Sequence, residues 1–381
     1  MVKTADAVVV GGGIQGVSVA YQLAGRGLRP LVVEQGYLAS GSTGRCAAGV
    51  RQQWGTEMNV RLARASVKMF EVLEDELGYG RGIEFKQRGY LMLAYHERQW
   101  GQFMRNVELQ RSLGVPVEVL TPGEAREVVP YLDLEGVVGA TFCPEDGHIN
   151  PFRAVDAYAQ AVRRLGGEIW TYTRVTGIEV AGGRVVGVKT TRGGVSAAVV
   201  VNTAGPWSDE VAEMAGLDIP TYAQRHQILV TEPLGPMQGP MVISFYHGLY
   251  CQQTPHGSFI MGLGDPHEPR NRDCGATWQF LEEMAAVIVK MLPPLAELRV
   301  VRQWAGSYDM TPDAQPILGA APEVEGYYYS VGFSGHGFML APMTGKLLAQ
   351  LIAGEEPDMP VGPLGPDRFA RGELILEPAV V

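Results

Sequence analysis

The chain has 381 residues, of which 46% are apolar and 19% are charged, and its formal net charge is −10. This length and composition predict a sizeable buried core in two or three domains and exclude a disordered chain. The acidic balance disfavours nucleic acid and anionic membranes as the main partners. The sequence contains no apolar run as long as a membrane span and no signal-peptide layout at its start, so we expect a cytoplasmic protein.

The first 34 residues predict a strand–helix–strand unit. Residues 7–10 form a short apolar run that opens onto three glycines, a helical pattern covers 14–25, and 30–34 is a second buried strand. Such a unit implies a parallel sheet. The next segment, 41–55, is rich in small residues and carries two arginines, which indicates a loop with a functional role.

The rest of the chain alternates helical and strand-like patterns. Helices are predicted at 57–77, 152–165 and 277–292, and another starts at the capping box 121–124. Strands are predicted at 83–95, 137–142, 175–180, 185–190 and 195–202, in a block over 227–262, and at the start of a strand–glycine–helix segment over 327–351. We therefore predict an α/β fold class with two domains. A Rossmann-like, cofactor-binding domain with a parallel sheet is expected at 1–82, 147–219 and 306–381, and an inserted antiparallel-sheet substrate domain at 83–146 and 220–305.

A glycine motif follows the first strand. In Gly11-x-Gly13-x-x-Gly16 the first glycine makes a tight turn, the second lets the backbone approach a pyrophosphate, and the third lets the helix pack on its strand. The helix N-terminus offers free N–H groups to phosphates. Glu34 ends the second strand, where a carboxylate accepts hydrogen bonds from an adenosine ribose, and Gln35 beside it argues against a 2′-phosphate. The motif indicates a dinucleotide site, leaves flavin and nicotinamide cofactors both open, and has a glycine turn without a ligand as its alternative.

Two later segments favour a flavin. The strand 199–202 leads into small residues at 203–205 that can lie beside a dinucleotide. The glycine-lined loop 332–339 precedes a helix, whose N–H groups can point at the flavin edge that gains negative charge on reduction. A helix cap with a turn is the alternative for this loop, and spacing alone does not separate the two.

Six segments share their pattern with a known family. They are VVVGGGIQGVSVAYQLAGRG with Glu34, SGSTGRCAAGVRQQW (40–54), VVNTAGPWS (200–208), RQWAGSYDMTPDAQPILG (302–319), GFSGHGFMLAP (332–342) and DRFARGEL (367–374). Over essentially the whole chain they resemble the D-amino acid oxidase superfamily of flavoproteins. The resemblance is strongest to the β subunits of heteromeric L-proline dehydrogenases and heterotetrameric sarcosine oxidases.

The resemblance implies bound FAD in the Rossmann-like domain and oxidation of an amino or imino acid. It implies flavin contacts at Gly11, Gly13, Gly16, Glu34, Ser42, Thr43, Arg45, Cys46, Val175, Ala204, Gly205, Trp207, Gly335, His336, Gly337 and Phe338. Monomeric sarcosine oxidases attach FAD to a cysteine near the position of Tyr308, and the matching stretch here has none, so we expect non-covalent FAD. Those oxidases also carry an oxygen-activating lysine where this chain has Ile260, which favours a dehydrogenase.

The resemblance also implies a partner subunit, with FMN possible at the interface. Heterotetrameric sarcosine oxidases tether FMN to a histidine, and the comparable region here is GHINP (147–151). His148 does not fall clearly on the tethering position. Covalent FMN is therefore not expected, and non-covalent FMN stays open.

Three residues are candidates for the chemistry of the substrate. Arg51 is the first choice to bind a substrate carboxylate, because its planar fork pairs with both oxygens; an ion pair elsewhere is the alternative. The family places a tyrosine and a histidine over the flavin, and the matching positions are Tyr250, which can hydrogen-bond the carboxylate, and His226, which can help to deprotonate the amine near neutral pH. Packed sheet residues are the alternative for both. Cys46 is expected to pack against the flavin, with its pKa lowered by neighbouring arginines.

The leading hypothesis is an FAD-dependent dehydrogenase that oxidises a secondary amino acid such as L-proline or sarcosine by hydride transfer to the flavin N5. An oxidase for glycine, sarcosine or a D-amino acid that uses O2 is the first alternative. A subunit that holds flavin without catalysing a reaction is the second. No metal site is expected, because the four cysteines lack the paired spacing of zinc ligands.

Overall fold

The computed structural model of the chain describes residues 3–378. The strands are Lys3–Thr4 (β1), Ala7–Val10 (β2), Pro30–Val33 (β3), Gly49–Val50 (β4), Tyr90–Ala94 (β5), Glu118–Leu120 (β6), Gly139–Cys143 (β7), Gly147–His148 (β8), Glu168–Trp170 (β9), Val175–Ala181 (β10), Arg184–Thr190 (β11), Gly193–Ser196 (β12), Val200–Asn202 (β13), Tyr222–Pro233 (β14), Met241–Ser244 (β15), Leu249–Gln253 (β16), Ser258–Leu263 (β17), Val300–Met310 (β18), Ile317–Ala320 (β19) and Tyr327–Val331 (β20). The α-helices are Ile14–Gly25 (α1), Glu57–Glu76 (α2), Glu97–Ser112 (α3), Pro122–Val128 (α4), Pro151–Arg164 (α5), Ser208–Glu213 (α6), Trp278–Met291 (α7), Gly337–Ile352 (α8) and Arg368–Arg371 (α9). Within this part of the chain no helix combines the length and the apolar character needed to cross a membrane.

A six-stranded sheet contains the first strand–helix–strand unit. Its order is β19-β20-β13-β2-β3-β9, and every neighbouring pair is parallel except β19 with β20. Side chains alternate across the sheet, so that Ala7 and Val9 pack against α1, α2, α5 and α8, whereas Val8 and Val10 pack against α6 and the second sheet β1-β12-β11-β10. Both faces of the central strands are therefore buried, as expected for a parallel sheet.

An eight-stranded sheet has the order β18-β14-β17-β16-β15-β5-β7-β6. Its pairs are antiparallel except for β15 with β5. Helices α4 and α7 cover one face and close a separate apolar core. The predicted α/β class, with a parallel sheet and a mainly antiparallel one, is confirmed. The residue limits predicted for the two domains stay a prediction.

Several local predictions need correction. The predicted strand over 83–95 shortens to β5, because residues 83–89 include two positive φ angles, at Glu84 and Gly89. The predicted strand over 195–202 splits into β12 and β13, which pair with strands of different sheets. The patterns also missed α3 and β18, whereas the predicted capping box at Thr121 and Glu124 is present.

The C-terminal segment after α9 returns to the body of the protein. Arg368 and Asp313 are fully buried and form a bidentate ion pair, with Nε–Oδ2 at 2.8 Å and Nη2–Oδ1 at 3.0 Å. The Ile375 backbone N–H donates to the same carboxylate at 3.3 Å. This pair fixes the path of residues 373–378 towards the start of α2.

Candidate cofactor and substrate site

A cleft of 1350 Å³ opens where the parallel strands of the six-stranded sheet end. Val10 and Val33 are the last residues of β2 and β3, and they line the cleft together with Thr203, which follows β13. Open α/β sheets bind their ligands at the carboxyl ends of their strands. Its lining residues reach from the turn after β2 to the first turn of α8, and we call this space the dinucleotide cleft.

The turn from β2 into α1 forms one end of the cleft. Gly11 has a φ of +117°, and a Cβ there would lie 2.5 Å from the carbonyl oxygen of Thr203. A Cβ at Gly16 would lie only 1.9 Å from the carbonyl oxygen of Gly11. Gly13 is the N-cap residue of α1, and the Ile14 N–H that follows it donates to the Thr43 hydroxyl at 3.1 Å. The N-terminus of α1 brings its partial positive charge to this end of the cleft. Gly11 and Gly16 therefore allow main chain to pack on main chain, and Gly13 makes room for the Thr43 side chain.

Glu34 is nine-tenths buried at the edge of the cleft. Its Oε2 accepts a hydrogen bond from the Gly12 N–H at 2.7 Å, and its Oε1 accepts one from the Gly36 N–H at 2.6 Å. Oε1 also accepts a hydrogen bond from the Ser40 hydroxyl at 3.3 Å. A carboxylate offers about four acceptor positions, two on each oxygen, so Oε2 retains one for a ligand hydroxyl. The residue is thus held in place by the protein and suited to a ribose.

The structure places most of the predicted cofactor residues together. The dinucleotide cleft is lined by Gly11, Gly13, Glu34, Ser42, Thr43, Cys46, Val175, Ala204, Gly205, Trp207, Gly335, Gly337 and Phe338. Gly16 lies outside the lining, packed beneath the turn. Arg45 and His336 line the neighbouring cavity instead.

Two observations fit a polar cofactor in this cleft. The Ser307 hydroxyl oxygen is buried on the cleft wall and finds no hydrogen-bond partner within residues 3–378. The first turn of α8 begins at Gly337 on the same wall, after Ser334 and Gly335 with φ of +50° and +91°. A ligand with acceptor atoms would satisfy both the hydroxyl and the free N–H groups of the helix.

A second cavity of 850 Å³ adjoins the cleft, and we call it the adjoining cavity. The two share a wall formed by Ser42, Cys46, Ser307, Tyr308, Ser334, Gly335 and Phe338. All three predicted substrate residues, Arg51, His226 and Tyr250, line the adjoining cavity. They come from the segment after β4, from β14 and from β16.

Arg51 is buried, with 2% of its surface exposed. Its guanidinium lies 3.9 Å above the centre of the Trp54 ring, and its Nη1 donates to the Gln53 carbonyl oxygen at 3.0 Å. Burial lowers the pKa of Arg51, and the nearby groups of Glu377, Tyr90 and Asp146 oppose that lowering. An arginine stays protonated under such conditions, so Arg51 brings a positive charge to the cavity.

His226 lies between two tyrosine rings. It stacks on Tyr308 with ring centres 4.6 Å apart, and its Nε2 is 3.2 Å from the hydroxyl of Tyr250, a hydrogen-bond distance. Burial lowers the pKa of His226 to about 4 and raises those of Tyr250 and Tyr308. All three rings are therefore neutral at pH 7. The cavity disfavours the imidazolium form of His226 because it desolvates the charge. The predicted role of His226 in deprotonating the amine stays a prediction.

His336 and Cys46 are also buried. His336 packs edge-on against Trp54 with ring centres 4.5 Å apart, and burial lowers its pKa. Burial raises the pKa of Cys46 to about 11, so the expected lowering by arginines is wrong and the thiol stays protonated. Desolvation outweighs the lowering of the Cys46 pKa by hydrogen bonds with the backbone of Ala48 and of Cys46 itself.

Two residues discussed in the resemblance lie elsewhere. Ile260 is on β17 and lines neither cavity. His148 is on β8 and 6% exposed, and its Nε2 is buried without a hydrogen-bond partner in the part of the chain that the structure describes. Within residues 3–378 no group of three or more histidine, cysteine or acidic side chains is arranged to hold a metal ion.

The sequence patterns missed Ser307, Tyr308 and Asp309 at the end of β18. The Asp309 carboxylate accepts hydrogen bonds from the Gly332 N–H at 2.6 Å and the Ser208 hydroxyl at 3.1 Å, and burial raises its pKa to about 7. The signal that could have identified these residues is their position in 302–319, one of the segments that resemble the family. Periodicity did not reveal them, because β18 was not predicted at all.

This combination of a parallel sheet, a glycine turn and a long cleft at the strand ends defines a Rossmann-type dinucleotide-binding protein with a second cavity for a small molecule.

Comparison with known proteins gives the family. The DAO family profile, described as FAD dependent oxidoreductase, matches residues 6–351, and the chain belongs to this family. The chain is 33% identical over 382 residues to sarcosine oxidase subunit beta from Arthrobacter sp, covering 98% of this chain and 93% of that protein. The crystal structure of L-proline dehydrogenase from P. horikoshii matches with a TM-score of 0.94 and 40% identity, over 98% of this chain and 100% of that one. Glycine oxidase from Geobacillus kaustophilus matches with a TM-score of 0.89 and 26% identity, over 96% and 99%.

These matches confirm the predicted family, the predicted fold class and the prediction of an FAD-dependent oxidoreductase. They do not assign roles to individual residues.

Substitution of two glycines of α1 tests whether the close packing of the turn is needed to bind FAD. In Gly16→Ala the new methyl would lie 1.9 Å from the Gly11 carbonyl oxygen, so the turn must open, and we expect FAD to bind at least about tenfold more weakly. In the control Gly25→Ala the methyl meets no atom within 4 Å, and FAD affinity should be unchanged. Titration of apoprotein with FAD, followed by flavin fluorescence, measures both affinities, and circular dichroism checks the fold. Equal affinities in two folded variants would contradict the role of the turn.

Proposed function

We propose that the protein is a dehydrogenase that oxidises a secondary amino acid such as L-proline or sarcosine, with non-covalently bound FAD as the electron acceptor. The observation that carries this proposal is the position of Arg51 in a cavity that shares a wall with the dinucleotide cleft. A carboxylate bound by Arg51 would keep the rest of a small substrate within that shared space.

The charge of the adjoining cavity favours a monoanion. Arg45 and Arg51 line it, and no Asp or Glu does so among residues 3–378. Both arginines also donate to backbone, Arg45 Nη1 to the Ala305 carbonyl oxygen at 3.1 Å and Arg51 Nη1 to the Gln53 carbonyl oxygen at 3.0 Å. Arg51 is our choice for the substrate carboxylate, because the family motif places it there and a guanidinium pairs with both oxygens at once.

The remaining walls of the adjoining cavity are neutral and largely apolar. Tyr90, Met241 and Ile243 line it together with the rings of Tyr250 and Tyr308. Such walls suit the ring of proline or the N-methyl group of sarcosine. A hydrophobic pocket separates substrates that differ by one methylene by only about 1–3 kcal/mol, so both substrates are included in the proposal.

When bound, FAD supplies the acceptor for the two electrons of a hydride removed from the carbon next to the amine. Arg51 would bind and orient the carboxylate, and the Tyr250 hydroxyl would donate a second hydrogen bond to it while accepting one from the Nε2–H of His226. His226, held neutral by burial, can accept a hydrogen bond but is too weak a base to remove a proton from an ammonium group at pH 7. The substrate amine must then reach the cavity in its neutral form.

The similarity to proteins named for proline and sarcosine supports a secondary amine as the substrate class. The similarity to glycine oxidase favours a second candidate, an oxidase that passes electrons to O2. Peroxide formation in air at the rate of turnover would identify that oxidase. A subunit that only holds flavin is a third candidate, and a flavin that no amino or imino acid reduces would favour it.

We also propose that the chain works in the cytoplasm with a partner subunit. The match to a protein named as a subunit, over nearly the whole of both chains, supports a partner. FMN at the interface with that partner is part of the same proposal. His148 is not its covalent attachment site, because that side chain is 94% buried in β8 and an exposed imidazole would be needed.

Reduction by substrate is the direct test of function. We expect L-proline or sarcosine to bleach the flavin absorbance under anaerobic conditions. Arg51→Ala should raise the substrate concentration for half-maximal bleaching by about 100-fold, because a charge-assisted pair is lost, and Arg51→Lys should have an intermediate effect. Arg61→Ala on the exposed face of α2 is the matched control and should behave as the wild type. Absence of bleaching by every amino and imino acid in a panel would reject the proposal.

The pH dependence tests the role of His226. Its pKa of about 4 means that it stays deprotonated from pH 5.5 upwards, so the rate of flavin reduction should rise with pH only as the substrate amine loses its proton. His226→Asn should lower the rate by about tenfold or more and leave the shape of the profile unchanged. Stopped-flow measurement of flavin reduction across pH 5.5–10 checks this. An acid limb near pH 6–7 that is present in the wild type and missing in His226→Asn would show that the histidine is the base.

Purification from the native source tests the cofactor and the partner together. We expect a second polypeptide to co-purify with the 41.2 kDa chain. Denaturation should release FAD into the supernatant and leave the chain colourless, because the stretch around Tyr308 has no cysteine for a covalent bond. Flavin that stays on the denatured chain would contradict non-covalent binding. An active protein made of this chain alone would contradict the partner subunit.

A further inference from the structure

The carboxylate of Glu377 closes the start of helix α2. It accepts hydrogen bonds from the Gly55 N–H at 2.7 Å, the Thr56 hydroxyl at 2.8 Å and the Asn59 side-chain amide at 2.8 Å. Thr56 is the N-cap residue of α2, and its own side chain makes no capping hydrogen bond. A carboxylate from the far end of the chain thus caps the helix, at the terminus where a negative charge is favourable.

Trp54 connects the loop that Glu377 binds to the side chain of Arg51. Trp54 directly precedes Gly55, and its indole N–H donates to the Arg51 carbonyl oxygen at 3.2 Å. The Arg51 guanidinium lies on the indole, and the Trp54 carbonyl oxygen accepts from Gln110 at 2.6 Å. The Trp54 residue that supports the guanidinium is therefore held by two hydrogen bonds, from its indole N–H to Arg51 and from Gln110 to its carbonyl oxygen.

The segment that carries Glu377 is itself anchored. The buried pair of Arg368 and Asp313 and the hydrogen bond from the Ile375 N–H hold the chain just before it. The segment also packs closely on the loop, since a Cβ at Gly55 would lie 2.3 Å from Pro378. The negative charge of Glu377 acts on the Arg51 guanidinium and opposes the effect of burial on its pKa.

We propose that Glu377 is a positioning residue for substrate recognition: by clamping residues 55–59 it holds the Trp54 indole in place, and the indole orients Arg51 towards the substrate carboxylate. This inference rests on the proposed role of Arg51 as the carboxylate anchor. It adds residues 373–378, none of which lines either cavity, to the residues that determine substrate binding.

Binding of an unreactive carboxylate measures recognition of the carboxylate separately from redox chemistry. Cyclopentanecarboxylate keeps the ring and the carboxylate of proline but has no amine to oxidise. Its dissociation constant for the FAD-loaded protein is measured by calorimetry, and quenching of tryptophan fluorescence gives a second reading. We expect Glu377→Ala to raise this constant about five- to tenfold, and Glu377→Gln, which keeps the shape and one of the two acceptor oxygens, to raise it about two- to threefold.

Two controls separate positioning from stability. Glu373→Ala removes an exposed carboxylate of the same segment that pairs with Arg371, and it should leave binding unchanged. In an Arg51→Lys background, Glu377→Ala should have little further effect, because its action passes through the guanidinium. With L-proline as substrate, Glu377→Ala should raise KM and change kcat by less than about twofold.

The outcomes are distinguishable. A folded Glu377→Ala protein with wild-type affinity, or an equal loss of affinity in the Arg51→Lys background, would overturn the inference and leave the proposed function intact. Wild-type affinity in Arg51→Lys would overturn the carboxylate anchor and the inference with it. If Glu377→Ala does not fold, Thr56→Val removes one of the three hydrogen bonds, and an increase of about two- to threefold is then the expected result and no increase the contrary one.

Discussion

The contact between main-chain atoms at the turn from β2 into α1 is the constraint on which the rest of the structure depends. Gly11 lies against the carbonyl of Thr203, and Gly16 lies against the carbonyl of Gly11, with no side chain between them. Three segments of the fold therefore meet at van der Waals distance at one point. The hydroxyl of Ser18 on α1 then donates to the Ala341 carbonyl oxygen at 2.8 Å, which fixes α8 and its N-terminus beside the same turn. Because the turn, Thr203 and the first turn of α8 all line the dinucleotide cleft, a methyl group at this contact disturbs several of its walls.

The second cavity exists because β14 and β18 form a long antiparallel ladder. His226 is paired with Gly306, so the strand that presents the histidine also brings Ser307 and Tyr308 to the wall shared by both cavities. Tyr250 pairs with Gly262 on the neighbouring strands, where the missing side chain leaves space for the tyrosine ring. A slip of one residue in these registers would turn the substrate residues to the opposite face of the sheet.

Burial sets the charge of this region. It keeps His226, Tyr250, Tyr308 and Cys46 neutral, since each would lose hydration in its ionised form. Arg51 keeps its charge, and neutral walls strengthen its attraction for an anion because they screen it less than water does. A small amino acid with a neutral amine and an ionised carboxylate matches this environment. Selectivity among such acids then depends on the shape of the apolar walls.

The sequence by itself determined the α/β class, the dinucleotide turn and the identity of Arg51, His226 and Tyr250 as candidates, because glycine spacing, strand periodicity and family motifs are local features of the chain. Only the tertiary structure decided that His226 and Cys46 are poor proton donors and acceptors near pH 7, since desolvation depends on groups that are far apart in sequence. The same holds for Ser307 on the shared wall and for Glu377, which lies 326 positions after Arg51 and meets its loop only in the folded chain. Burial and long-range hydrogen bonds leave no periodic trace in the sequence, and they are the physical reason why the chemistry of this site could be read only from the fold.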